Sequence, residues 1–146
     1  MSLKQRLERL YQTHEDMEKI YPFEQTYEQL NTFLNKEVAV RQSRFLSHTQ
    51  FANETGMTAS EAISLFFLIA NFAEDRILTL CYRYTCSHGT DHFLHDEDLE
   101  GFQCDEDCYC GEEFNLKEAL VEGMIDVPVF FEAHTDFKEE LEKEMV

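Results

Sequence analysis

Leu3, Leu7, Leu10, Tyr11, His14, Met17 and Ile20 recur at the period of one helix face, so Ser2 to Ile20 reads as an amphipathic helix with Ser2 as its N-cap. Pro22 ends that pattern. Tyr27, Leu30, Phe33 and Leu34 then mark a second helix, from Phe23 or Glu24 to Lys36. Val38 to Leu46 alternates weakly, as a short strand or a connector would. Residues His48 to Thr55 form the next predicted helix and Gly56 a turn. Ala59 to Asp75 follows as a longer helix behind Thr58, with Glu61 in the capping-box position.

The period changes near Arg76. Ile77, Thr79, Cys81, Arg83 and Thr85 alternate with Leu78, Leu80, Tyr82 and Tyr84, which predicts a strand. Val127 to Glu132 predicts another, and Pro128 near its start places it at a sheet edge. Asn115 or Leu116 to Glu122 reads as a short helix closed by Gly123. Thr135 or Asp136 caps a last, charged helix to Met145, anchored by Phe137 and Leu141. This gives a helical lobe over 1–76 and a β-containing lobe over 77–146, packed as one globular unit.

Within the first lobe, Gln50 to Ala62 has the spacing of a helix-turn-helix. Ala52 is small where two helices would cross, and Gly56 supplies the positive φ of the turn. Ala62 and Leu65 fall where the second helix packs back on the first. A DNA-reading helix needs basic or amide side chains toward the groove and cations on the phosphates. This one offers Ser60, Glu61 and Ser64, then Phe66, Phe67, Leu68, Ile69 and Phe72. Such a helix is apolar nearly all round, which suits burial against the fold or against a second copy of the chain.

Charge sharpens that exclusion. The 146 residues carry 12 basic and 30 acidic side chains, a net charge of −18. Only Arg76 and Arg83 interrupt a middle region without cations, from Phe45 to Leu116. A field of this sign repels phosphate backbones and anionic lipid and favours a protein partner with a basic surface. With 13 Phe and 6 Tyr the chain has material for a real core. MSLKQRLERL is charged and amphipathic rather than a signal peptide, and no apolar run approaches the roughly 20 residues of a spanning helix. Five locally clustered cysteines without an export signal point to a reducing cytoplasm and to metal rather than disulfides.

The candidate chemistry lies in two short tetrapeptides, Cys86-Ser87-His88-Gly89 and Cys108-Tyr109-Cys110-Gly111. Each places two metal ligands one residue apart, with a glycine behind them that lets the backbone fold under an ion. Cys86, His88, Cys108 and Cys110 together make a Cys3His set, the closed shell of a structural Zn2+. Cys104 is the first reserve, and His92 or His95 can stand in for His88. Cys81, on a strand, reads as a buried thiol. No HExxH, deaminase, nucleophile-elbow or phosphate-loop pattern is present, so no enzyme is expected. The runs His95 to Glu100 and Asp105 to Asp107 read as solvated acidic faces or docking surface.

The stretch from Tyr82 to Phe114, YRYTCSHG…CDEDCYCGEEF, resembles a degenerate zinc ribbon. Joined to the helix-turn-helix-like front half, it is similar to small prokaryotic winged-helix proteins that carry a zinc ribbon, over about half the chain. The expected fold is therefore α+β and mostly helical, with a helix-turn-helix-like core, a small zinc-ribbon-like β element and a C-terminal helix. The resemblance implies a protein that regulates, adapts or bridges larger proteins, some of them in stress or phage-defence operons. The function expected is a non-enzymatic, zinc-stabilised protein-interaction module (adaptor, inhibitor or immunity component) using an acidic surface. The alternative is a metal- or redox-responsive transcriptional regulator of winged-helix type. A homodimer is compatible with either.

Overall fold

The computed structural model describes residues 1–70, 75–85, 89, 91–95 and 128–144. Helices α1 (Leu3–Thr13), α2 (Met17–Ile20) and α3 (Phe23–Leu34) lead into a π-helix, Asn35–Val40. Helices α4 (His48–Thr55) and α5 (Ala59–Ile69) follow, then strands β1 (Leu78–Thr85), β2 (Asp91–His95) and β3 (Val129–Ala133), and helix α6 (Thr135–Glu144). The fold is α+β, with a three-stranded antiparallel sheet in the order β2-β1-β3. Tertiary contacts divide the chain into Met1–Thr79 with Phe131–Val146, and Leu80–Phe130.

Local chemistry explains three helix starts in the first unit. Ser2 and Gln5 close a capping box on α1, Thr58 and Glu61 another on α5, and the Ser47 side chain accepts from Gln50 N at the start of α4. Such caps contribute about 1 kcal/mol each. Gly56 ends α4 at φ 82°, a left-handed conformation that costs glycine nothing, and α5 packs back on α4. Ala52, Ala62 and Leu65 are buried there, as their spacing predicts.

Two segments depart from the periodic reading. The first helix stops at Thr13, and His14 leaves helical geometry at φ −118°. The Thr13 hydroxyl donates back to the Arg9 carbonyl, and the chain re-enters helix at Met17. That break buries Met17 and Tyr21 and leaves Ile20 62% exposed, so the apolar stripe does not continue through it. Tyr11 donates to the Tyr21 carbonyl, and Tyr21 donates to the Glu61 carbonyl. Burial pushes both phenols above their ordinary value, and the Glu61 charge adds to the effect at Tyr21.

The second departure is the π-helix, which takes the end of the second expected helix and the start of the segment expected as a short strand or connector. Glu37 and Val38 are consecutive and both buried. The Glu37 carboxylate accepts from Gln50 Nε2 at 2.6 Å, Arg41 at 3.1 Å and the Ser43 hydroxyl at 3.1 Å. Single π turns inside helices arise where such local demands outweigh regular winding. Leu46 then pairs with Phe131, whose carbonyl accepts from Leu46 N.

The C-terminal helix is tied into the same unit. Phe137 and Leu141 are buried, as expected from their spacing. Arg6, itself buried, donates to the carbonyls of Met1 and Arg76 and lies 3.7 Å from Glu140 and over the Phe137 ring. Its charge is thereby surrounded by acceptors, the condition for burying a guanidinium. Among the described residues, no helix is long and apolar enough to cross a membrane.

Candidate metal centre

The second unit contains a hairpin made from the alternating stretch that follows Arg76. Strands β1 and β2 are antiparallel, with Cys81 opposite His95, Tyr82 opposite Leu94, Arg83 opposite Phe93, Tyr84 opposite His92 and Thr85 opposite Asp91. Gly89, in the connection between them, sits at φ 81°, a conformation that favours glycine. The Thr85 hydroxyl donates to Asp91 Oδ1 at 2.6 Å, and the Tyr84 and His92 rings stack. Arg83 N donates to the Pro128 carbonyl, which pairs β1 with the chain entering β3.

Directly opposed residues of an antiparallel pair project from the same face. Cys81 and His95 therefore present a thiol and an imidazole side by side, and their donor atoms lie within 4.8 Å of each other. A tetrahedral zinc with one sulfur and one nitrogen ligand holds those atoms roughly 3.6 Å apart, given the usual bond lengths. Small side-chain adjustments cover the difference. Cys81 is buried, 1% exposed. Together the two residues supply a pair of donors that could hold a metal ion.

This pair differs from the sequence expectation in a specific way. Cys86, His88, Cys108 and Cys110, with the reserve Cys104, lie outside the described residues, as do the acidic runs from Asp96 to Asp107 and the helix expected over 115–122. In the sequence pattern His95 is a substitute for His88, and Cys81 reads as a buried thiol. Their spacing follows no knuckle motif. The signal that identifies them is the hairpin register, centred on position 88, which pairs 81 with 95. His92 takes a different role beside Tyr84. Glu132, in the first unit, accepts from Arg44 Nε at 3.0 Å.

A direct test uses Co2+ as a spectroscopic probe of thiolate ligation. Cys81→Ser and His95→Gln are each expected to weaken Co2+ binding by at least roughly tenfold, since even outer-shell partners are worth that much. The readout is the intensity of the sulfur-to-cobalt charge-transfer band during titration. Two variants that titrate like the native chain would rule the pair out as ligands. No family model, curated protein or solved structure matches the chain.

Proposed function

We propose that this protein is a non-enzymatic, zinc-stabilised interaction module whose acidic exterior recognises a basic surface on a protein partner. The observation that carries this reading is the fate of its few cations. Arg6, Lys19, Lys36, Arg41 and Arg44 each lie within ion-pair distance of a carboxylate of the same chain. Each such pair neutralises one carboxylate per cation, so the net charge of −18 remains, and a field of that sign favours a basic partner. Zn2+ is the ion best suited to thiolate and imidazole donors, and Cys86, His88, Cys108 and Cys110 remain the proposed closed set beside the Cys81–His95 pair.

The position of α5 supports a protein partner over DNA. It is the second helix of the helix–turn–helix unit, and its exposed positions include Ser60, Glu61, Ser64 and Phe67. None can neutralise a phosphate, and the nearest sequence neighbours add no cation.

Fluorescence anisotropy with two labelled probes tests the reading, a lysine-rich peptide and a duplex DNA of mixed sequence. The peptide is expected to bind and to weaken steeply as salt is raised, with no response from the duplex. Absence of peptide binding at low salt, or salt-dependent binding of the duplex, would overturn it.

A further inference from the structure

We infer that the cleft beside the α1–α2 break is a docking site for an amphipathic, basic segment of a partner protein. The inference rests on the proposed recognition of basic partners and locates it. The cleft has a volume of about 500 Å3, within the range of built binding sites. Met17 and Leu68 give it an apolar lining, and Ile20 stands at its edge, 62% exposed. An isoleucine so placed within a cleft is unlike a scattered surface aliphatic, because neighbouring apolar atoms already surround the site an incoming side chain would fill.

Charge selects the occupant. Glu15 and Asp16 line the cleft and are exposed. Lys19 lies 3.8 Å from Asp16, but both are strongly solvated, so the pair is worth little. Glu18 adds a further carboxylate on the same short helix, where it accepts from Phe23 N. A leucine-like anchor flanked by Lys or Arg matches this arrangement, whereas an acidic or wholly polar segment does not.

His14 lines the cleft, and its Nε2 atom is buried without a hydrogen-bond partner. The break that ends α1 therefore brings an apolar lining and an acidic rim together at one place.

The test uses three synthetic helical peptides of equal length: leucine/lysine amphipathic, serine/lysine of the same charge, and leucine/glutamate. Each is titrated against the native chain and against Ile20→Ser, a neutral change at an exposed position that should leave the melting temperature unaltered. The leucine/lysine peptide is expected to bind most tightly and to lose roughly tenfold in affinity with Ile20→Ser, as removal of one buried aliphatic anchor implies. The serine/lysine peptide should bind more weakly and respond equally to both proteins. Equal affinity of native and Ile20→Ser protein for the leucine/lysine peptide would overturn the cleft while leaving the basic-partner reading intact. If neither lysine peptide binds, both fall. Tightest binding of the leucine/glutamate peptide would reverse the charge argument and overturn the cleft assignment.

Discussion

Phe66→Ala is expected to destabilise the protein by about 3–5 kcal/mol, the usual cost of emptying a buried aromatic site. Phe66 is fully buried, and among the described residues it lies at the centre of an aromatic group in the first unit. Its ring centroid lies 5.2 Å from Phe131 in an edge contact, 5.5 Å from Phe51 and 6.1 Å from Phe33, with His48 at 6.4 Å. These four come from α3, α4 and β3, so one deletion loosens several elements at once. Edge and tilted aromatic pairs contribute about 0.5–1.5 kcal/mol beyond area burial, which places the change toward the upper end of the range. Against a typical total of about 5–15 kcal/mol, such a loss is a large fraction of stability. Urea denaturation should show a lower midpoint with an unchanged slope. Phe66→Leu, which keeps most of the volume, should cost less. A shift equal to that of a surface control, Glu24→Ala, would mean that these rings do not organise the core.

The contrast between Phe66 and its neighbour shows what the sequence carries about this fold. Both belong to an apolar run that looks uniform, yet Phe66 is buried and Phe67 is 45% exposed. Periodicity identifies the helix but cannot choose among adjacent apolar residues when nearly every position is apolar. Signals that act within one turn were readable: Ser2 with Gln5, Thr58 with Glu61, and Gly56 at the end of α4. So were Pro128 before an edge strand and the anchors Phe137 and Leu141.

What the sequence could not supply depends on distant partners. The interruption at His14 occurs inside an intact helical stripe, because burying Met17 and Tyr21 outweighs continuing the helix. The pairing of Cys81 with His95 depends on a strand register, and a one-residue slip would place them on opposite faces. In the tetrapeptides the candidate ligands lie one residue apart in sequence. In the hairpin they are adjacent only after the strands have paired. The cleft at Ile20 follows from the same unpredicted break, so its docking role had no counterpart in the linear pattern.

Replacing Glu37 should have the second large effect on stability, and the order of effects among its partners separates a buried polar hub from a surface ion pair. Glu37→Ala is expected to cost about 2–4 kcal/mol, since it removes a carboxylate that satisfies several donors in a buried setting. Glu37 is 4% exposed and accepts from Gln50, Arg41 and Ser43, with Lys36 at 3.8 Å. Arg41, by contrast, is 59% exposed, so Arg41→Ala should cost only ~0.2–1 kcal/mol. Gln50→Ala should fall between them, because it removes the shortest bond of the group and the link from the π-helix to α4. Glu37→Gln preserves shape but exchanges a charged acceptor for a neutral amide, and part of the loss should remain. Double-mutant cycles between positions 37 and 50 would then show coupling, whereas cycles between 41 and 50 would be nearly additive. Equal costs for Glu37→Ala and Arg41→Ala would instead assign the carboxylate to solvent screening. The π turn would then owe its geometry to the burial of Val38 alone, and Val38→Ala, not Glu37→Ala, would be the change that returns the segment to regular α-helix.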